Sequence, residues 1–288
     1  MKPTARDQRP GTRGQRPEGG GQRPAGGGVL AFGESEAGSP LARRRPETGG
    51  RRLAGPLLAF GAHPDDIEFG CGGVIARETR LGRAARLVVC SRGEAGTNGT
   101  PAQRAREARR AASLLGATLE FAELGGDAHF EVRPVFAIRL AAIIRRVRPA
   151  VVLAPSVVPN QHPDHVALGR LVRDACRLAR YGGLRELRRL RPHAVGQLFF
   201  YAVTAEAEPG DLGRVLVDLS APGVVEAWRA AMEAHVSQLQ TRNYVELQLT
   251  RARLHGLRAG LAHATPLFLA DPLVVDSLAA LGRAARKF

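Results

Sequence analysis

The sequence predicts an α/β fold in which a doubly wound, mostly parallel sheet carries helices on both faces. Three observations predict it. From Leu53 onward, short apolar runs that read as buried strands alternate with longer stretches of helical periodicity, the mark of successive βαβ units. At 288 residues, with 44% hydrophobic side chains, the chain is long enough for one large α/β domain or two small ones. The first and fourth apolar runs each end in a cluster of histidine and aspartate: Ala62-His63-Pro64-Asp65-Asp66-Ile67-Glu68 and Gln161-His162-Pro163-Asp164-His165.

In order along the chain, Pro56-Leu57-Leu58-Ala59-Phe60-Gly61 reads as a strand that ends at the first cluster, and residues 70–81 as a helix stopped at Gly82. Arg86-Leu87-Val88-Val89-Cys90 is the second strand. Residues 101–115 form an Arg/Ala-rich helix with Pro at its first position and Gly116 beyond its end, the usual asymmetry of helix termini. Residues 118–121 are a short third strand. Residues 133–147 are a helix with apolar positions at Val135, Ile138, Ala142 and Ile143, ended by Pro149. Ala150-Val151-Val152-Leu153-Ala154 is the fourth strand, leading into the second cluster, and residues 164–180 are the next helix. Strands follow at 197–203 and 214–219, then helices at about 221–240, capped by Ser220, and on to Leu257. Residues 266–275 are ambiguous. The expected sheet is Rossmann-like, with a strand order beginning 3-2-1-4. Strands one and four are then neighbours, and their carboxyl ends bound the crevice where such folds take ligands, so the two clusters should meet there.

Residues 1–52 read differently. The triplets Gln8-Arg9-Pro10, Gln15-Arg16-Pro17 and Gln22-Arg23-Pro24 recur every seven residues within Gly-rich text. Such a segment buries too little apolar surface to offset its chain entropy, so the expected organisation is a disordered Gly/Pro/Arg-rich tail at 1–52 and a single domain at 53–288. The net charge is +15, but the arginines spread along amphipathic helices and only 5% of residues are aromatic, which argues against a nucleic-acid partner. Cys71, Cys90 and Cys176 form no CxxC pair and read as small buried apolar residues in a reducing compartment. No stretch approaches the ~18 apolar residues of a membrane span, and the N-terminus lacks a secretory apolar core. The expectation is a cytoplasmic protein without a membrane partner.

The clusters carry the chemistry. A catalytic zinc takes about three protein ligands, often histidines with one carboxylate, and keeps one position open. His63 and Asp66 stand three residues apart around Pro64, close enough to bind one ion. A third ligand comes from the other cluster, and spacing allows either His162 or His165. Asp65, between the two ligands, is positioned to accept a proton from an attacking water. The plainer alternative is that such residues cap helices, as Asp164 would at the helix that follows it; two independent His/Asp runs at the same ends of two strands favour a metal site.

The run Leu57-Leu58-Ala59-Phe60-Gly61-Ala62-His63-Pro64-Asp65-Asp66-Ile67-Glu68-Phe69-Gly70-Cys71-Gly72-Gly73, the stretch Ser91-Arg92-Gly93-Glu94-Ala95-Gly96-Thr97 and the motif His162-Pro163-Asp164-His165 resemble the signature of the PIG-L/LmbE-like zinc-dependent N-deacetylases. Within that family the chain looks most like the branch that deacetylates N-acetylglucosaminyl-malate in bacillithiol synthesis, which the Ser237-Gln238 step also fits. The resemblance implies zinc on His63, Asp66 and His165, with Fe2+ or another divalent metal suiting the same donors. It implies Asp65 as general base, and His162, oriented by Asp164, as a charged imidazole that stabilises the oxyanion or protonates the leaving amine. It further implies Arg92 in the substrate pocket, Glu94 and Asp127 on sugar hydroxyls, a small amino-sugar conjugate as partner, and a homo-oligomer, since relatives often are.

Two departures bear on the branch: Gln161 and Asn98 stand where it often has arginine. The competing readings are a metallohydrolase of the same scaffold acting on another amide or ester, and a catalytically inactive sugar-binding module. The first strand-to-helix turn has no GxGxxG, which speaks against a dinucleotide binder.

Overall fold

The computed structural model describes residues 55–159 and 162–278. The expectations for the tail at 1–52 and for Gln161 lie outside the described residues. The central strand β1 (Leu57–Gly61) is buried along its whole length. Parallel neighbours flank it on both sides: β2 (Ala85–Val89) and then β3 (Thr118–Phe121), and β4 (Val151–Pro155) and then β5 (Gln197–Tyr201). β7 (Ala264–Leu269) runs antiparallel to β5 and to the edge strand β6 (Arg214–Asp218), so the seven strands lie in the order 3-2-1-4-5-7-6. The expected mostly parallel, doubly wound sheet beginning 3-2-1-4 is the one observed.

Side chains alternate across the sheet. Leu57 and Ala59 face one apolar layer with residues of α1 (Asp66–Arg80), α2 (Pro101–Leu114), α5 (Val224–Glu233) and α6 (Tyr244–Arg258). Leu58 and Phe60 face the other, with α3 (Pro134–Val147) and α4 (Pro163–Leu178). The α1 face is packed closely: a β-carbon added at Gly70 would sit 2.2 Å from the Tyr201 ring, whose hydroxyl donates to the Phe60 carbonyl at 2.7 Å. Trp228 Nε1 donates to the Glu68 carbonyl at 2.7 Å, fastening α5 beneath the first cluster.

The structure departs from the sequence expectations in three places. α1 begins at Asp66 rather than residue 70: after Asp65 (φ 123°) a first helical stretch runs to a kink at Cys71 (φ −146°), and the helix expected from the sequence continues beyond it to Arg80. The helix expected over 221–240 is shorter, starting after Gly223 (φ 76°) and giving way to a 3-10 turn at Val236–Gln238. There the buried His235 packs 3.5 Å from Glu68, and Ser237 bonds Glu107 on α2 through both its hydroxyl and its N–H. Residues 264–269 are a strand, its apolar side chains filling the place between β5 and β6. Among the described residues no helix is long and apolar enough to cross a membrane.

Candidate active site

The site lies at the carboxyl ends of β1 and β4, adjacent strands in the sheet. Past Gly61, Asp66 Oδ2 accepts the backbone N–H groups of Ala62 and His63, both at 2.9 Å. That pinned carboxylate turns Oδ1 to His165 Nε2, 3.0 Å away, while His63 Nδ1 stands 3.4 Å from Oδ2. His165 sits in the first turn of α4, after Pro163 at the first helical position. His63, Asp66 and His165 are 6%, 3% and 4% exposed, and one donor atom from each falls within 4.8 Å of the others.

The other face of the His63 ring is held by carboxylates. Nε2 lies 3.0 Å from Asp127 Oδ1 and 3.3 Å from Asp164 Oδ2. Asp164 also accepts the N–H of Ala128 at 2.7 Å and of Phe130 at 3.4 Å, which ties it to the 125–130 loop. Burial works against protonation of His63, yet Asp66, Asp127 and Asp164 outweigh it and push the imidazole up to about 12. Burial alone would raise Asp66; His165 and His63 hold its carboxyl well below the usual carboxylate range. Two imidazoles and a carboxylate, with further carboxylates on the outer nitrogen of one imidazole, form a donor set that suits a divalent metal: carboxylate-oriented histidines are how such sites fix a ring. Three buried carboxylates around one imidazole also leave negative charge that a dication would balance.

Asp65 faces the same space. It caps α1 without spending its side chain on the cap, at φ 123°, ψ −27°. A non-glycine residue in such a conformation costs roughly 1–3 kcal/mol and persists only where its surroundings enforce it. Burial and the neighbouring Asp66 raise its carboxyl to about 6, with Arg104 and His235 opposing. His162 is a third exposed. Its Nδ1 accepts the Asp164 backbone N–H at 3.3 Å, so the proton of the neutral ring sits on Nε2. Burial and the neighbouring His63 push His162 below its ordinary value.

A cavity of about 410 Å³ gathers His63, Asp65, Asp66, Asp127, His162 and His165. Arg92 and Glu94 do not line it. Arg92 Nε pairs with Glu123 Oε1 at 2.6 Å, the guanidinium lying over the Phe121 ring, and the Glu94 carboxylate accepts the N–H groups of Arg92 and Asp127. Glu94 therefore shapes the loop, and Arg92 stands on the surface. The cavity is completed by Phe69, Thr97, Val203, Gln238, Tyr244 and Arg104. Of these, Phe69, Thr97 and Gln238 fall in the stretches that the sequence singles out, whereas Val203, Tyr244 and Arg104 do not. Arg104 was hidden among similar arginines, although it shares the buried helix face of Ala108 and Ala111, a position where a solvated arginine is out of place. The three cysteines are free, and burial pushes their thiols up.

Known proteins resemble this chain over the part that builds the site. It is 36% identical over 129 residues to the uncharacterized deacetylase YaiS of Escherichia coli, covering 42% of this chain and 68% of that one. It is 28% identical over 197 residues to the diacetylchitobiose deacetylase of Thermococcus kodakarensis, covering 63% and 69%. The 4-oxalmesaconate hydratase of Pseudomonas putida is 33% identical over 138 residues, and there the chain spans about half of its relative (44% and 53%). The structure of the conserved protein TT1542 from Thermus thermophilus superposes with a TM-score of 0.67 at 34% identity, over 76% of this chain and 96% of that one. Residues 58–176, which run from β1 through α4 and contain both His/Asp clusters, match the family described as GlcNAc-PI de-N-acetylase, and the chain belongs to this PIG-L family.

Proposed function

We propose that this protein hydrolyses the N-acetyl group of an N-acetylglucosamine conjugate, using a divalent metal, zinc by preference, on His63, Asp66 and His165. The observation that carries the reading is the convergence of that donor set with Asp65 and His162 in one cavity. A metal ion bound there supplies Lewis acidity, polarising an amide carbonyl and lowering the pKa of water towards ~7. Asp65, its carboxyl raised to about 6 by burial and Asp66, is suited to take a proton from the attacking water near neutral pH. His162 presents its Nε2–H to the oxygen on which negative charge develops, and the proton that Asp65 takes from the water is the one passed to the departing amine. Asp164 acts twice, its backbone N–H holding His162 and its carboxylate holding His63.

The finer substrate reading, N-acetylglucosaminyl-malate in bacillithiol synthesis, rests on the resemblance of the motifs. A malate group calls for cations. Among the described residues lining the cavity the one arginine, Arg104, is committed to Pro64, Gly93 and Asp65. A second reading is favoured by the hydratase relative: the same residues would direct water to a carbon–carbon double bond. A hydratase whose substrate bears carboxylates meets the same shortage of free cations, so the amide reading is preferred.

The test is elemental analysis for metal, followed by acetate release from N-acetylglucosamine conjugates with neutral and malate aglycones, for the wild type and Asp65→Ala. We expect about one metal per chain and acetate release that the substitution abolishes. A metal-free protein, or a variant as active as the wild type, would sink the reading; strong preference for malate would establish the branch.

A further inference from the structure

The C-terminal half of α4 carries Arg173 and Arg177, and Arg180 follows just past its end, a spacing that puts all three on one side. Together they line a depression of about 280 Å³. Its other walls are the start of β5, at Gly196 and Gln197, and the segment after β7, at Asp271 and Val274. Gln197 Nε2 donates to the Asp271 carbonyl at 3.2 Å, which holds that segment against the strand.

Basic residues at a helix C-terminus usually neutralise the open carbonyls of the last turn. Here another residue already does so. Arg145, 3% exposed, reaches across from α3. Its Nε donates to the Ala179 carbonyl at 3.0 Å and its Nη2 to that of Leu178 at 3.4 Å, while Nη1 donates to the carbonyls of Leu187 and Leu190, both at 2.9 Å. The end of α4 is therefore satisfied without its own arginines. Among the described residues none of the three donates a side-chain hydrogen bond or pairs with a carboxylate, and Arg173 Nε is buried without a partner. Asp174 lines a separate depression against α3, so Asp271 is the one carboxylate facing three guanidinium groups that repel one another. The depression carries an excess of two positive charges.

We propose that this depression binds the phosphate group of a small molecule, with Arg173, Arg177 and Arg180 donating to its oxygens. A phosphomonoester carries about −1.5 to −2 charge near neutral pH and three acceptor oxygens, which matches that excess; a single carboxylate leaves one charge unbalanced. The guanidinium fork also fits pairs of phosphate oxygens. The site is separate from the catalytic one. β5 runs parallel to β4, so its start lies at the end of the sheet opposite the His/Asp clusters, on the order of 15 Å away by the length of the strand. Its occupant does not compete with an amino-sugar conjugate, and the proposal is independent of the reading of the active site.

Calorimetric titration of the metal-loaded full chain with inorganic phosphate and with pyrophosphate, at constant ionic strength, tests it. Wild type, Arg173→Gln, Arg177→Gln and Arg180→Gln are compared with Arg189→Gln, an exposed arginine outside the depression. One saturable site per chain is expected. Each of the three substitutions should weaken it about tenfold or more, the effect of losing a hydrogen bond to a charged group. Arg189→Gln should stay within roughly twofold of wild type. Absence of saturable binding would overturn the proposal. So would binding that survives all three substitutions, which would put the anion elsewhere, the metal centre included. Equal weakening by Arg189→Gln would mean diffuse attraction to a basic surface and would refute a built site. Duplex DNA is the further probe: tighter binding than pyrophosphate, weakened by Arg189→Gln, would mean that this face takes a polymer and that the small-molecule assignment is wrong. Should the half-buried Arg173→Gln fail to fold, Arg177→Gln and Arg180→Gln decide by the same criterion.

Discussion

Asp164 Oδ2 lies 3.3 Å from Nε2 of His63, a residue 101 positions earlier, yet 4.0 Å from Nδ1 of its near neighbour His162. What Asp164 offers His162 is its backbone N–H; what it offers His63 is its carboxylate. Loss of the carboxylate should therefore weaken the metal site. For Asp164→Asn we expect metal affinity to fall roughly 10- to 100-fold, the usual effect of removing a carboxylate behind a metal-bound histidine. Competition with a chelator measures it. Undiminished affinity with reduced kcat would mean that the carboxylate serves His162 alone.

The strain at Asp65 gives an inverted order of stability. Glycine is ordinarily less favourable than alanine. At φ 123° the order should reverse, with Asp65→Gly more stable than Asp65→Ala by about 1 kcal/mol. Urea unfolding of the two variants, both inactive, is the measurement, and alanine proving the more stable would argue that the conformation carries no strain.

Arg92 should matter little. Its guanidinium is engaged by Glu123 and the Phe121 ring outside the cavity. Arg92→Ala is expected to leave KM for a neutral N-acetylglucosamine conjugate within roughly twofold, the small effect usual for a surface ion pair. A KM increase of an order of magnitude would return Arg92 to the substrate pocket.

An acid-sensitive contact stands away from the site. Glu208 Oε1 accepts Arg251 Nε at 2.7 Å and lies 3.0 Å from His255 Nε2. Burial would raise this carboxyl, but His255 and Arg251 outweigh it and hold it below its ordinary value of 4.5. A carboxyl depressed by folding stabilises the fold above its unfolded pKa, and that contribution fades as pH falls through the folded one. Urea midpoints of the wild type and Glu208→Gln should differ at neutral pH and converge as the pH drops below 4.5. Parallel curves would show that the contact contributes nothing pH-dependent.

Much of the fold was legible because its signals are local. β1 and β4 announce themselves as apolar runs, and α2 and α4 by proline at their first positions. The start of α1 was misjudged because no sequence rule allows aspartate a φ of 123°. Residues 221–240 read as one helix because the contacts that break it, His235 with Glu68 and Ser237 with Glu107, join segments far apart in sequence.

The site divides the same way. The sequence by itself determined the donor types and their two locations, since histidine and aspartate at strand ends are identifiable without coordinates. Topology made their meeting an expectation, because neighbouring parallel strands bring their carboxyl ends together. Only the tertiary structure decided which atoms face which: His63 Nε2 turned to Asp127 and Asp164, Arg92 turned away, Arg104 turned in. The reason is physical. The direction of a buried side chain is set by packing and by hydrogen-bond partners contributed from distant segments, and one residue's identity does not encode where those partners lie.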